Sequence, residues 1–122
     1  MGANEREEWR AALRDHALCA TDEVPPGEAK RFVVGGRALA VFNLDGTFYV
    51  TDDTCTHGFA SLAEGFVTEE GTVECAWHGG AFDIRTGAAV TAPCQISLVT
   101  HAVLVRDGMV WAVLTDKQTA EE

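Results

Sequence analysis

The chain has 122 residues, 47% of them apolar and 23% charged, a balance that suits one globular domain with its own core and excludes wholesale disorder. Nine Lys and Arg against nineteen Asp and Glu leave a formal net charge of −10, which argues against a nucleic-acid binder because phosphate backbones reward excess positive charge. No apolar run approaches the roughly 20 residues that span a bilayer, and Met1 to Glu8 has neither the basic nor the apolar stretch of a secretory signal, so the cytoplasm is the expected compartment.

In chain order, Asn4 with Glu7 three residues on has capping-box spacing and predicts a helical extension over residues 1–16, with the helix running from Glu5 to about His16. Trp9 and Leu13 fall on one face of it, and His16 would meet its last carbonyls. The period then changes to an extended one. Ala17–Ala20 is a strand candidate and Pro25-Pro26-Gly27 a turn. Arg31–Val34 and Arg37–Phe42 flank Gly35-Gly36, a two-residue hairpin turn, and Asp45-Gly46 leads into Thr47–Val50 in the same way. Towards the end, Ser97–Val105 and Met109–Leu114 are strands joined by Asp107-Gly108. Three hairpin signals with no helix between strands predict an all-β fold, an antiparallel sandwich or barrel. Cys19 reads as a small buried hydrophobe. His101, alternating with Val99 and Val103, reads as a structural histidine. The tail Asp116–Glu122 is polar and expected to fray.

The middle, about residues 52–93, differs. It is rich in Gly, Thr and acids, and a loop-rich stretch of this length inside a compact domain needs something to order it, such as a metal centre. Between Arg37 and Arg85 there is no Lys or Arg, while Asp45, Asp52, Asp53, Glu64, Glu69, Glu70, Glu74 and Asp83 contribute eight negative charges. They are either solvated loop acids or a docking face for a basic partner, where complementary fields raise the encounter rate.

Four cysteines in a cytoplasmic chain do not suggest disulfides, and cysteine interleaved with histidine suggests a metal site. Cys55-Thr56-His57 and Cys75-Ala76-Trp77-His78 are two Cys/His pairs separated by the seventeen residues Gly58 to Glu74. Together they make a Cys₂His₂ set, which zinc takes as a tetrahedron and a Rieske [2Fe–2S] cluster takes as two Cys on one iron and two His on the other. Zinc fingers pair Cys with Cys and His with His. Here each loop delivers one of each, which suits a two-iron rhomb reached by both loops. Gly58, Gly79 and Gly80 follow the histidines, where glycine lets backbone amides approach bridging sulfides.

The paired motif resembles that of Rieske iron–sulfur proteins. The stretches Leu62–Phe66, Val73–Cys75 and Phe82–Gly87 are similar to the small Rieske ferredoxins that serve bacterial aromatic-ring-hydroxylating dioxygenases. The resemblance covers about Ala29 to Leu114, leaving the N-terminal segment outside it. Ala76-Trp77 departs from the Pro-Leu of many relatives, which alters packing but removes no ligand.

The resemblance implies one [2Fe–2S] cluster, with Cys55 and Cys75 on the inner iron and His57 and His78 on the outer iron that accepts the electron. Gly58, Ala60, Trp77, Gly79, Gly80, Phe82 and Pro93 would surround the cluster, Trp77 and Phe82 shielding it and Pro93 covering it, with Cys94 nearby but not a ligand. It further implies a carrier and not an enzyme, taking electrons from a flavin-dependent NAD(P)H ferredoxin reductase and passing them to a terminal oxygenase. Docking would use an acidic face of Asp52, Asp53, Glu64, Glu69, Glu70, Glu74 and Asp83.

In the cytochrome bc-type branch, an extra disulfide and two hydroxyls raise the potential. Those positions here hold Ala60, Trp77, Gly80 and Phe82, none able to do so. With nearby acids also opposing reduction, a potential of about −150 mV is expected, the low end of the Rieske range. Two other readings are a small Rieske-like subunit of an assimilatory nitrite reductase and a structural zinc module.

Overall fold

The computed structural model describes residues 15–56, 60–76, 80–92 and 96–115. Among the described residues ten strands make two antiparallel sheets: β1 (Asp15–Ala20), β2 (Ala29–Val34), β3 (Arg37–Leu44), β4 (Thr47–Asp52), β5 (Phe66–Val67), β6 (Thr72–Glu74), β7 (Ala81–Asp83), β8 (Ala89–Thr91), β9 (Thr100–Arg106) and β10 (Met109–Val113). The larger sheet runs β1-β10-β9-β4-β3-β2, and its edge strands β1 and β2 come back into contact, so it nearly closes as a barrel. The smaller runs β5-β6-β7-β8. The all-β expectation holds.

Local chemistry sets the hairpins. Gly35 and Gly36, Asp45 and Gly46, and Asp107 and Gly108 all have positive φ, as a type I′ turn requires at both central positions. Each turn matches the twist of its strands and therefore sets their register. In β2–β3, for example, Val34 pairs with Arg37 and Ala29 with Phe42. The Pro25-Pro26-Gly27 turn is also present, closed by the Glu28 amide donating to the Pro25 carbonyl at 3.1 Å.

β3 is the shared wall of two cores. Its alternate residues point opposite ways. Leu39 and Val41 join Cys19, Val24, Val50, Val110 and Ala112 in one core. Ala40 and Phe42 join Leu62, Val73, Phe82, Ile84, Leu98 and both Cys55 and Cys75 in the other. Covered on both faces, β3 is apolar nearly throughout. Its one buried polar residue, Asn43, is satisfied at both ends of its amide: Nδ2 donates to the Val24 carbonyl (2.7 Å) and Oδ1 accepts from the Gly46 amide (2.7 Å).

One expectation is corrected. The helix predicted to end at His16 falls mostly on residues 1–14, outside the described residues, but Asp15 and His16 belong to β1. His16 pairs with Ala112 of β10, so cross-strand pairing prevails over the local helical spacing at this position. The loop-rich stretch 52–93 also holds the whole smaller sheet, built of strands two or three residues long. The tail 116–122 lies outside the described residues.

Candidate metal centre

Cys55 and Cys75 begin two equivalent loops. The Cys55 amide donates to the Ala60 carbonyl (2.9 Å), and the Cys75 amide donates to the Gly80 carbonyl (2.7 Å). Each bond joins a cysteine to the residue five positions on. Just outside it, Thr54 bridges Ser61 in the first loop and Glu74 pairs with Ala81 in the second. Each closed segment contains one of the candidate histidines by sequence. His57, Gly58, Trp77, His78, Gly79, Pro93 and Cys94 lie outside the described residues, so the geometry bears on the cysteine half of the set and on Ala60, Gly80 and Phe82.

That half fits a thiolate-held cofactor. Cys55 is 2% exposed and Cys75 4%, and both lie in the core that also contains Ala60 and Phe82. Two candidate soft ligands are thereby brought to one apolar wall, at the mouths of matching loops. Cys19 is apart from them, in the barrel core. Burial, with the Glu23 carboxylate adding to it, pushes its thiol up to about 11, so it stays protonated, as a small hydrophobe should.

The loops rest on different supports. The second continues the β6–β7 ladder, where Val73 pairs with Phe82 and both are fully buried. Gly65 comes so close to it that a Cβ there would collide with the Glu74 carbonyl. The first loop lacks such a ladder and follows two adjacent aspartates. Asp53 is 1% exposed and Asp52 8%, which removes both from the expected acidic face.

Asp53 bonds to Arg31 of β2 (Oδ2 to Nε, 3.3 Å) and accepts the Ala63 amide on Oδ1 (2.9 Å). Asp52 Oδ1 meets Arg37 Nε at 3.1 Å and His101 Nε2 at 3.0 Å. The Thr115 amide donates to His101 Nδ1 (2.8 Å), so the ring's proton is on Nε2 and is given to Asp52. Burial raises the Asp52 carboxyl pKa, but the His101 hydrogen bond and the Arg37 charge outweigh it and hold the group below the ordinary 3.8. His101 is thus a satisfied structural histidine, as its alternation with apolar residues suggested.

The remaining acids divide. Glu64 and Glu74 are exposed and, with exposed Phe66, line a shallow recess that reaches Cys75 and Ala76. Exposed Glu69 and Glu70 sit at the far turn of the β5–β6 hairpin. Asp83 is turned inward on its own loop, its Oδ1 accepting the Arg85 amide (2.8 Å) and the Thr86 amide (3.3 Å).

Comparison with known proteins agrees with this arrangement. Residues 15–109 match the profile of the Rieske [2Fe-2S] domain. The chain is 46% identical over 95 residues to the ferredoxin component of the p-cumate 2,3-dioxygenase system of Pseudomonas putida, covering 77% of this chain and 80% of that one. It is 38% identical over 101 residues to the 3-phenylpropionate/cinnamic acid dioxygenase ferredoxin subunit of Photorhabdus laumondii, covering 83% and 95%. Among solved structures, it is similar to a chain in the complex of reduced oxygenase and oxidized ferredoxin of carbazole 1,9a-dioxygenase, with a TM-score of 0.77, 40% identity, and 82% and 93% coverage. With paired cysteine loops, a two-sheet β fold and a profile match over most of its length, the chain belongs to the Rieske [2Fe–2S] domain family, whose cofactor is an iron–sulfur cluster.

Proposed function

We propose that this protein is a cytoplasmic, low-potential one-electron carrier with a single [2Fe–2S] cluster, taking electrons from a flavin-dependent NAD(P)H reductase and delivering them to a ring-hydroxylating oxygenase. The observation that carries the reading is the pair of cysteines, both buried in one core, each opening a loop closed by the same amide-to-carbonyl bond. The relatives support it, being ferredoxin parts of dioxygenase systems, one of them from a complex with its oxygenase.

In this reading Cys55 and Cys75 hold one iron, and His57 and His78 hold the other. A bound cluster supplies one reversible electron-accepting site, its imidazole-ligated iron being the easier to reduce because imidazole donates less charge than thiolate. Residues 52–93 act as the cluster-binding subdomain of a single domain spanning 1–122. Phe82, Val73, Leu62 and Ile84, all fully buried, form the apolar wall behind the cysteines and exclude water there. Fewer donors to sulfur on Ala60, Gly80 and Phe82 keep the potential low. Gly58, Trp77, Gly79 and Pro93 are proposed to border the cluster on its other sides. Glu64 and Glu74, beside the Cys75 loop, are the acids best placed to meet a basic partner surface.

The test is direct. Anaerobically purified protein is mixed with catalytic flavin reductase and NADH, and visible absorbance is followed; cluster colour should bleach, then return on adding oxidised terminal oxygenase. Failure to bleach with any such reductase, in protein that chemical reductants do bleach, would count against the proposed place in the chain.

A further inference from the structure

We infer that Asp53, held by Arg31, is a positioning residue for the Cys55 ligand loop, supplying through one buried carboxylate the support that a β-ladder gives the Cys75 loop. This rests on the cluster assignment proposed above. The two loops are alike at their mouths and unlike at their bases. Behind Cys75 stand β6 and β7, with three consecutive pairs, Thr72–Asp83, Val73–Phe82 and Glu74–Ala81. Behind Cys55 there is one isolated bridge, Thr54–Ser61. Asp53 occupies the place that corresponds to Val73, two residues before the cysteine.

Every polar group of Asp53 is used to tie the two ends of the first loop together and to the sheets. Its amide donates to the Ala38 carbonyl of β3 (3.0 Å) and its carbonyl accepts the Leu62 amide (2.7 Å). Carboxylate Oδ1 accepts the Ala63 amide (2.9 Å), and Oδ2 meets Arg31 Nε (3.3 Å). Residues 62 and 63 open the 3-10 turn Leu62–Glu64, whose preceding residue Ser61 makes no side-chain cap. Asp53 provides that cap from across the loop. The spacing between the chain entering at Cys55 and the chain leaving at Ala60 therefore depends on this carboxylate.

Asp53 is 1% exposed, so its polar atoms must find their partners within the fold. Arg31, with its side chain 53% exposed, reaches it from the β2 edge while remaining largely in water. Adjacent Asp52 does a separate job: it faces Arg37 and His101 and ties β3, β4 and β9.

The experiment compares cluster loss with unfolding in Asp53→Ala, Asp53→Asn and Arg31→Gln, all as full-length, cluster-loaded protein. Loss of visible absorbance in the presence of a chelator is timed at fixed temperature. Unfolding is followed separately by tryptophan fluorescence, and the reduced cluster by electron paramagnetic resonance. Asp53→Ala should lose its cluster about tenfold faster than wild type, more than its unfolding rate rises, because the Ala63 amide is orphaned at the loop. Asp53→Asn keeps an acceptor for that amide and should recover most of the lifetime. Arg31→Gln should fall between them, and Asp53→Ala should shift the resonance lines.

Unchanged cluster lifetime and resonance in Asp53→Ala would overturn the inference. So would cluster loss that rises in step with unfolding in all three variants, which is the behaviour of a general stabiliser. A wild-type protein that holds no Rieske cluster would instead sink the reading beneath it, and is recognised before any variant is made.

Discussion

At the scale of single residues, Asp52 and the cysteines make the sharpest statements. The Asp52 carboxyl titrates lower folded than unfolded, so its stabilisation is present above the ordinary 3.8 and is lost as pH falls below that value. Asp52→Asn should therefore flatten the acid limb of a thermal-melt series against pH. At neutral pH it should cost roughly 1.5–3 kcal/mol, since hydrogen bonds to His101 and Arg37 lose their charge. An Asp52→Asn protein that loses stability below pH 4 as steeply as wild type would contradict this. Among the cysteines, Cys55→Ser or Cys75→Ser should abolish iron and sulfide incorporation, measured chemically on purified protein. Cys19→Ser should leave both intact, because Cys19 packs in the other core. The pairing of Cys with His on each loop was legible in the sequence. The burial of Asp52 and Asp53 was not. Their partners Arg31, Arg37 and His101 come from strands far along the chain, and a run of acids looks the same whether solvated or ion-paired.

Among the elements, the hairpins were legible and the small sheet was not. Gly-Gly, Asp-Gly and Asp-Gly specify type I′ turns by local sterics alone, so the strands beside them appeared with errors of only one to three residues at most ends. β5 to β8 are two or three residues long, too short to display a period of two, and their pairing is visible only once the chain has folded back. β1 was half hidden by helical spacing on its N-terminal side. The small sheet nonetheless carries the Cys75 half of the candidate site. Gly65→Ala places a methyl group against the Glu74 carbonyl, one residue before Cys75. It should lower the melting free energy by about 1–3 kcal/mol and hasten cluster loss, read from absorbance at fixed temperature. Asn43→Ala, which strips both ends of a buried amide bridge in the barrel, should cost a similar about 1–3 kcal/mol. It should leave the cluster's spectrum unchanged, because Asn43 ties Val24 and Gly46 and touches neither loop.

At the scale of the whole molecule, a chain of net charge −10 brings one candidate cysteine loop from the end of β4 in the larger sheet and the other from between β6 and β7 in the smaller. With Asp52 and Asp53 engaged internally, Glu64 and Glu74 flank the Cys75 loop. Raising ionic strength should slow reductase-driven bleaching, since exposed charges are screened beyond a Debye length of about 8–10 Å at physiological salt. Glu64→Gln with Glu74→Gln should weaken that salt dependence in stopped-flow traces. Rates indifferent to salt would remove the acidic surface from the account. Everything else depends on a two-iron cluster gripped unequally, thiolates on one metal and imidazoles on the other. The decisive measurement is a redox titration of the purified protein monitored by electron paramagnetic resonance. It should show one electron per chain entering a Rieske-type signal at a midpoint of about −150 mV. A protein silent in the reduced state, or a midpoint well above zero, would contradict it.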